Sequence, residues 1–265
     1  MGNYMKIKTN GIDIHYEIAG EGPWVTLSHS LACNLHMWDD QMAALTQRYK
    51  VLRFDTRGHG QSGAPPGPYS LGQMADDVKG LLGALGIQRT HWVGLSMGGM
   101  IGETFALKYP GVFRSMVLAD TTGRRPPDAH KMWDDRIRLA QEKGMEALIE
   151  GTLARWFTEP YRIAHPDVMA RIGGAIRATP VAGFAGCCQA IADIDVLDRL
   201  NEIKSPALVM VGDQDQGTPP EMARQIHENL PGSELLIIPS AAHLSNIEQA
   251  AVFNQALLGF LDKAS

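Results

Sequence analysis

Short runs of apolar residues recur along this chain and are separated by stretches with helical periodicity. Six such runs lie at residues 24–27, 51–54, 91–95, 116–119, 207–211 and 235–238. Continuous apolar runs of this length are typical of strands that are covered on both faces, as in a parallel sheet. Because helical segments separate the runs, the pattern predicts a doubly wound α/β sheet.

The chain opens on a different pattern. Residues 5–10 and 12–18 alternate between apolar and polar side chains around the turn-forming pair Asn10-Gly11, which predicts an antiparallel hairpin. Together with the six apolar runs, these two segments predict a mostly parallel eight-stranded sheet. The 265 residues are enough to bury a large core in one domain. Among the helical segments, Ser70 is placed to cap a helix that extends to Leu85.

One region interrupts the alternation. Residues 121–195 have helical periodicity and no convincing strand, so we expect a helical cap inserted between two sheet strands, with residues 1–120 and 196–265 forming the core. The region holds 10 acidic and 10 basic residues, of which 8 are Arg, so the net charge of −5 belongs to the core. Arginine matches the geometry of carboxylates, and the composition suggests an anionic substrate, although any single arginine could lie on a solvated helix face.

A serine follows the third apolar run, in the sequence Gly94-Leu95-Ser96-Met97-Gly98, and a helical segment comes directly after it. The pattern G-x-S-x-G between a strand and a helix is typical of a nucleophile elbow. Glycines are needed there because the turn is too tight for side chains beside the serine. We therefore expect the Ser96 hydroxyl to act as a nucleophile at the carboxyl edge of the sheet.

A serine nucleophile needs a general base. Four histidines follow Ser96 in the chain, namely His130, His165, His227 and His243. His243 lies on a loop after the last apolar run, from which an imidazole can return to the sheet edge, and we expect it to be the base. His130 and His165 fall in the expected cap and His227 in a helix, so we expect these three on the surface.

The base in turn needs a carboxylate that orients it. The segment after the run at 207–211 offers Asp213 and Asp215. We expect Asp215, which lies further along the turn and can reach His243, and Asp213 remains an alternative. Asp120, at the end of the run at 116–119, is a third candidate, whose other role would be hydrogen bonding at the entrance to the cap.

Ester hydrolysis also requires N–H donors for the oxyanion that forms in the transition state. We expect one donor to be the backbone N–H of Met97, directly after the nucleophile. The other is expected to be the backbone N–H of Leu31, in the loop that follows the run at 24–27. His29, in the same loop, is expected to be a structural hydrogen-bonding residue.

With these features the chain resembles the α/β-hydrolase superfamily from end to end, and residues 55–62 are similar to that superfamily's turn after the fourth strand. In particular, it resembles the 3-oxoadipate enol-lactonases of aromatic degradation. The similar stretches are residues 35–39, 52–60, 67–70, 94–99 and 242–248 and, in the cap, Trp133 with Arg136, residues 154–158 and residues 187–191. The resemblance places the family's catalytic roles on Ser96, Asp215 and His243.

The loop at 28–33 departs from many relatives, because Ala32 stands where they carry glycine and Cys33 lies beside it. The chain has three cysteines, and Cys33 is expected to be an inert core residue, with a position in the pocket lining as the alternative. An odd number without a framework spacing is consistent with a reducing compartment.

The resemblance implies a serine hydrolase of carboxylic esters or lactones that opens 3-oxoadipate enol-lactone through an acyl-enzyme. Trp133 and Arg136 are then expected in substrate binding, with Arg136 at the free carboxylate of the substrate. Three alternatives remain: a broad-specificity carboxylesterase, a carbon–carbon bond hydrolase of ring-cleavage products, and a non-catalytic ligand receptor on the same fold.

The absence of several sequence signals predicts the protein's location and its binding partners. The opening residues, Met1 to Lys6, have no apolar segment of a signal peptide, and no apolar run approaches the ~20 residues that span a bilayer. We therefore expect a cytoplasmic protein with a small-molecule ester or lactone as its partner and no membrane association. The mild acidic charge without a basic block predicts no nucleic-acid binding. No metal or cofactor is expected, because the serine mechanism needs none and no dinucleotide fingerprint is present.

Overall fold

A sheet of eight strands forms the centre of the structure, a computed structural model that describes residues 5–126 and 128–264. The strands are β1 (Met5–Thr9), β2 (Ile12–Ala19), β3 (Trp24–Ser28), β4 (Lys50–Phe54), β5 (Thr90–Leu95), β6 (Phe113–Ala119), β7 (Ala207–Gly212) and β8 (Glu234–Ile238). Their order in the sheet is β1-β2-β4-β3-β5-β6-β7-β8. β2 is antiparallel to both of its neighbours, and the other pairs are parallel. The predicted hairpin and the mostly parallel sheet are confirmed.

Helices lie between the strands and after the last one. They are α1 (Asp39–Leu45), α2 (Leu71–Ala84), α3 (Met97–Lys108), α4 (Ala129–Lys143), α5 (Ile149–Trp156), α6 (Glu159–Ala164), α7 (Pro166–Ala178), α8 (Val181–Ala192), α9 (Pro220–Asn229), α10 (Ser245–Glu248) and α11 (Ala250–Lys263). None of these described helices is both long and apolar enough to cross a bilayer. The expectation that the chain has no signal peptide depends in part on residues 1–4. These four residues lie outside the described residues.

All residues of the central strand β5 are buried, as are those of β7. Trp92 in β5 stacks on Phe113 in β6 with ring centroids 5.0 Å apart, and Phe113 stacks on Phe105 in α3 at 4.5 Å. Aromatic side chains bury large apolar areas and gain further from ring contacts. These contacts hold α3 against the sheet and thereby fix the junction of β5 and α3.

Helix α2 begins where the sequence predicts. The hydroxyl of Ser70 accepts a hydrogen bond from the backbone N–H of Gln73 at 3.1 Å, so Ser70 is the N-cap. Such a cap contributes about 1 kcal/mol to helix stability. The buried face of α2 includes Met74, Val78 and Leu81 at helical spacing, which is the periodicity from which the helix was predicted.

Five α-helices, α4 to α8, lie among the described residues between β6 and β7. The two ends of this insertion meet in an antiparallel bridge between Arg124 and Asp195, and the Arg124 guanidinium also pairs with Asp198 at 2.6 Å. The insertion therefore leaves and rejoins the sheet at one place. The assignment of residues 121–195 as a separate cap stays a prediction.

Helix α8 rests directly on the core. At Gly183 a side chain would overlap the backbone of Gly58, in the loop after β4, and the reverse is also true. Only glycine allows the two backbones to approach this closely. The insertion is thus packed against the loop that follows β4 and closes over the carboxyl end of the sheet.

Candidate active site

Ser96 occupies the sharp turn between β5 and α3. Its backbone has φ +55° and ψ −116°, outside the favoured regions for a residue with a side chain. Its N–H donates to the carbonyl of Ala119 at 2.8 Å, which holds the turn on β6. A side chain at Gly94 would overlap the backbone of Gly98, and one at Gly98 would overlap that of Ser28. The two glycines of the motif are therefore sterically required.

His243 lies on the loop after β8 and reaches Ser96. Its Nε2 is 2.9 Å from Ser96 Oγ, and its Nδ1 is 2.8 Å from Asp215 Oδ2. A carboxylate can only accept, so Nδ1 carries the proton and Nε2 accepts from the serine hydroxyl. The arrangement allows the imidazole to remove the proton from Ser96 while Asp215 stabilises the resulting positive charge.

The side chain of Asp215 is held in place by the turn that follows it. Its Oδ1 accepts from the backbone N–H of Gly217 at 2.7 Å and from that of Thr218 at 3.1 Å. Its Oδ2 accepts from the Thr218 hydroxyl at 2.8 Å as well as from His243. Asp213, the alternative, is exposed and accepts from the backbone N–H of Ala241 at 3.3 Å.

Asp120, the third candidate, is buried but bonded elsewhere. Its Oδ1 accepts from the N–H of Gly212 at 2.9 Å, and its Oδ2 accepts from the hydroxyl of Ser245 at 2.5 Å. Burial and the nearby charge of Asp215 raise the pKa of Asp120 well above its ordinary value. The structure therefore brings Ser96, His243 and Asp215 together and places Asp213 and Asp120 outside that series.

The backbone N–H groups of Leu31 and Met97 lie at the expected positions, on the loop after β3 and at the start of α3. Within the described residues neither of them donates to a backbone carbonyl. Both residues are buried, and Leu31 lines the same cavity as Ser96. Donors that are unpaired and shielded from water are suited to a developing oxyanion.

Two buried histidines connect the Leu31 loop to the loop that follows β4. His29 Nε2 accepts from the N–H of Thr56 at 2.9 Å, and His59 Nε2 accepts from the N–H of Ala32 at 2.8 Å. Burial lowers the pKa of His59 to about 3, so it stays neutral and able to accept. Ala32 has φ +56°, a conformation that favours glycine. The structural role expected for His29 is confirmed, whereas the role of His59 in the 55–62 segment was missed.

The other three histidines that follow Ser96 in the chain lie away from it. His130 is exposed, 3.5 Å from Asp193, and His165 is exposed at the junction of α6 and α7. His227 in α9 bonds to the hydroxyl of Ser233 at 2.8 Å. None of the three lines the cavity above Ser96.

That cavity, of about 130 Å³, lies between the core and the inserted helices. Its lining includes Ser96 and His243 from the core and Trp133, Arg136 and Trp156 from the insertion. Trp133 and Arg136 are the two residues predicted to contact substrate, and both face the space above the serine. The predictions missed two further arginines on its wall, Arg125 and Arg155.

The three arginines are half-buried, and no Asp or Glu among the described residues forms an ion pair with any of them. Burial lowers the pKa of Arg125 and of Arg136 to about 10 and also lowers that of Arg155. All three stay charged at neutral pH. The Asp215 carboxylate offsets part of the Arg125 charge, but within the described residues none of the three guanidinium groups forms an ion pair, which favours an anionic ligand.

The three cysteines are buried thiols. Burial raises the pKa of Cys33 and of Cys187, and it raises that of Cys188 to about 12. A thiol that stays protonated is a poor nucleophile. In the described part of the chain, no three His, Cys, Asp or Glu side chains are grouped closely enough to hold a metal ion.

Comparison with known proteins places this geometry in a family. A family model described as alpha/beta hydrolase fold matches residues 23–250. The 3-oxoadipate enol-lactonase 2 of Acinetobacter baylyi is 33% identical over 248 residues, covering 93% of this chain and 92% of that protein. The crystal structure of the enol-lactonase from Burkholderia xenovorans LB400 has a TM-score of 0.94 at 38% identity, covering 97% of this chain and 100% of that chain.

A thermophilic esterase from Thermogutta terrifontis, studied with malate bound, has a TM-score of 0.94 at 31% identity over 99% of both chains. The match to the family model covers most of the sheet, the serine turn and the inserted helices. The chain belongs to the α/β hydrolase fold family.

Proposed function

We propose that this protein hydrolyses a carboxylic ester or lactone that carries a free carboxylate, with 3-oxoadipate enol-lactone as its favoured substrate. One observation carries the proposal: the hydrogen-bonded series Ser96–His243–Asp215 opens into a cavity whose wall carries three arginines without an ion-pair partner among the described residues. Relatives at 33% and 38% identity are named enol-lactonases, and both align along nearly their full length.

The first step is attack by Ser96 Oγ on the lactone carbonyl while His243 Nε2 takes the hydroxyl proton. Asp215 stabilises the imidazolium and keeps its ring in the required orientation. The N–H groups of Leu31 and Met97 stabilise the negative charge on the carbonyl oxygen. In other serine hydrolases the loss of one such donor costs about 3–4 kcal/mol of transition-state stabilisation.

Ring opening differs from cleavage of an ordinary ester, because the leaving enolate stays attached to the acyl group. Protonation and conversion of the enol to the ketone remove this internal nucleophile from competition with water. A water molecule, deprotonated by His243, then attacks the acyl-enzyme and releases the free acid from Ser96. During these steps Arg136 binds the carboxylate that the substrate already carries.

The decisive experiment compares kcat/KM for 3-oxoadipate enol-lactone with kcat/KM for p-nitrophenyl acetate, a neutral ester that reacts through the same serine. We expect the lactone to be favoured by about 100-fold or more, since charge-assisted hydrogen bonds to a carboxylate contribute several kcal/mol when partly buried. A ratio near one would favour a broad-specificity carboxylesterase. Turnover of a ring-cleavage diketone in place of the lactone would favour a carbon–carbon bond hydrolase.

Absence of turnover on any of these compounds, with Ser96 intact, would favour a ligand receptor on the same fold. The matched test of the carboxylate is Arg136→Gln assayed on both substrates. We expect kcat/KM for the lactone to fall and that for p-nitrophenyl acetate to change little, because the neutral ester has no carboxylate to bind.

A further inference from the structure

Two of the cavity arginines are held together by one hydroxyl. Nη2 of Arg136 and Nη2 of Arg155 both lie 3.4 Å from Thr152 Oγ1, and Thr152 is buried. The charge of Arg155 lowers the pKa of Arg136, in addition to the effect of burial. Two like charges are therefore kept side by side at the cavity wall. We call Arg136, Arg155 and Thr152 the Thr152 clamp.

The third arginine, Arg125, also lies against the Trp133 ring, with its guanidinium 5.8 Å from the ring centroid, and its charge lowers the pKa of Arg136. Unlike Arg136, it is bonded to the loop that carries the proposed acid. Nη1 of Arg125 donates to the carbonyl of Gly217 at 3.0 Å. A Cβ at Gly217 would lie 3.4 Å from Asp215 Oδ1 and 3.5 Å from His243 Nδ1. Arg125 is thus anchored beside the acid and the base, whereas the Thr152 clamp is anchored on helices α4 and α5.

Several donors in this cavity have no acceptor. Nε of Arg125, Nε of Arg136 and Nε1 of Trp133 are buried and lack a hydrogen-bond partner among the described residues. The guanidinium of Arg136 also lies over the Trp133 ring, 4.9 Å from its centroid. Unpaired buried donors are costly to a folded protein. Their presence at two positions in one cavity indicates that a ligand with more than one acceptor group completes the site.

We propose that the cavity contains two anion subsites and binds dicarboxylates, with one carboxylate at the Thr152 clamp and the other at Arg125, beside Ser96. The role of this site in turnover rests on the proposed function, because lactone hydrolysis supplies the second carboxylate. Hydrolysis of a lactone adds one water, breaks the acyl C–O bond and turns a neutral carbonyl into a carboxylate with release of one proton. The product of an anionic lactone is therefore a dicarboxylate whose new carboxylate forms at Ser96, in the cavity that Arg125 also lines.

The added charge has a consequence for turnover. The substrate occupies only the Thr152 clamp with an anion, whereas the product occupies both subsites. The protein then binds its product more tightly than its substrate, and the product inhibits competitively.

Titration calorimetry with non-reacting ligands tests the two subsites. Adipate and hexanoate have the same number of carbons but carry two carboxylates and one, and neither contains an ester bond. We expect the Kd of the wild-type protein for adipate to be about tenfold or more below that for hexanoate. Both affinities should weaken with added salt, as expected for binding through charge.

Three single variants separate the subsites. We expect Arg125→Gln to weaken adipate binding to the level of hexanoate and to leave the Kd for hexanoate within about twofold. Arg136→Gln should weaken the binding of both ligands by about tenfold. Arg138→Gln is the matched control. Arg138 lies on α4, as Arg136 does, but it is exposed and pairs with Asp135. This variant therefore removes the same charge outside the cavity. We expect both affinities to be unchanged in that variant.

Loss of Arg125 also removes its hydrogen bond to the carbonyl of Gly217. For this reason Arg125→Lys is measured as well. Thermal melting checks that each variant is folded. Lysine keeps the charge, and we expect part of the preference for adipate to return. Equal affinities of the wild-type protein for adipate and hexanoate would overturn the proposal, as would an equal loss of both ligands in Arg125→Gln. Inorganic phosphate binding as tightly as adipate would show a general anion site in place of two spaced subsites.

These measurements do not depend on turnover. If the protein hydrolyses no ester or lactone but prefers adipate through Arg125, the proposed function fails and the dicarboxylate site stands. If it hydrolyses the lactone but binds adipate no better than hexanoate, the second subsite fails and the proposed function stands.

Discussion

The carboxylate of Asp120 accepts a 2.5 Å hydrogen bond from the hydroxyl of Ser245, two residues after His243. Its other oxygen accepts from the backbone N–H of Gly212, three residues before Asp215. One buried side chain therefore ties the loop that carries the proposed base to the loop that carries the proposed acid. Its backbone, with φ +46°, is held in the left-handed region at the end of β6.

We expect Asp120→Ala to destabilise the protein by about 2–4 kcal/mol, because two buried donors lose their acceptor, and to lower kcat through displacement of both loops. Asp120→Asn keeps a carbonyl for Gly212 and offers an amide N–H to the Ser245 oxygen, so activity should stay within about fivefold. Urea unfolding and steady-state hydrolysis of p-nitrophenyl acetate measure these effects. A collapse of activity in Asp120→Asn with normal stability would instead make Asp120 the orienting acid.

Ser96→Ala should lower kcat on any ester by about 10⁴-fold or more, since the residual rate comes only from the oxyanion donors and substrate binding. The melting temperature should change little, because the strained turn is held by Gly94, Gly98 and the bond to Ala119. Active-site titration with a fluorophosphonate should label the wild-type protein once and leave the variant unlabelled. Labelling of the variant at another residue would refute the assignment of the nucleophile.

Replacement of the two aspartates of the loop after β7 should have very different effects on kcat. Asp215→Asn places an amide opposite His243 Nδ1 and favours the wrong imidazole tautomer, so kcat should fall by about 10³–10⁴-fold. Asp213→Asn changes an exposed side chain that, among the described residues, accepts a hydrogen bond from the N–H of Ala241 alone, and should leave kcat within about twofold. Both variants lose the same charge, which makes each the control of the other. The reverse ranking would transfer the role of the acid to Asp213.

Glu103, inside α3, makes stability fall as the pH rises. Both of its carboxylate oxygens are buried without a hydrogen-bond partner among the described residues, and burial raises its pKa from 4.5 to about 8. Below pH 4.5 the group is protonated in the folded and unfolded states alike. Between these two pKa values only the folded protein keeps the proton, so stability is lost by up to about 1.4 kcal/mol per pH unit.

We therefore expect Glu103→Gln to be more stable than the wild-type protein by about 2–4 kcal/mol at pH 9 and equal to it near the unfolded-state pKa. Urea unfolding across this pH range gives the measurement. Glu142→Gln is the matched control, because Glu142 is exposed on α4 and its replacement should shift neither end of the profile. If the free energy of unfolding depends on pH in the same way for the wild-type protein and Glu103→Gln, the burial argument is wrong.

Ala32 should tolerate glycine. Its φ of +56° is unfavourable for a residue with a Cβ, and Ala32→Gly should stabilise the protein by about 0.5–1 kcal/mol without loss of activity. Ala170→Gly, at an exposed position within α7, should have the opposite effect and destabilise the helix by about 1 kcal/mol. Thermal melting of the pair checks the sign. If both changes destabilise the protein, then packing of the Ala32 methyl group stabilises the fold by more than the strain of its backbone costs.

The sequence by itself determined the features that depend on neighbouring residues. The apolar runs, the hairpin turn and the Ser70 cap each follow from the burial or hydrogen bonding of one short segment. The placing of Ser96 on a strand–helix turn is equally local, because five consecutive residues specify the turn. His243 was identifiable because one histidine alone follows the last strand.

Only the tertiary structure decided which distant groups meet. Asp120, Asp213 and Asp215 all follow strands that end at the same sheet edge, so their spacing did not rank them, and the turn at Thr218 orients Asp215 toward His243. Arg125 and Arg155 reach the cavity of Arg136 because inserted helices pack over the sheet. Their side chains are like those of any solvated arginine in the sequence, and their burial without an ion pair among the described residues is a property of the packed chain alone.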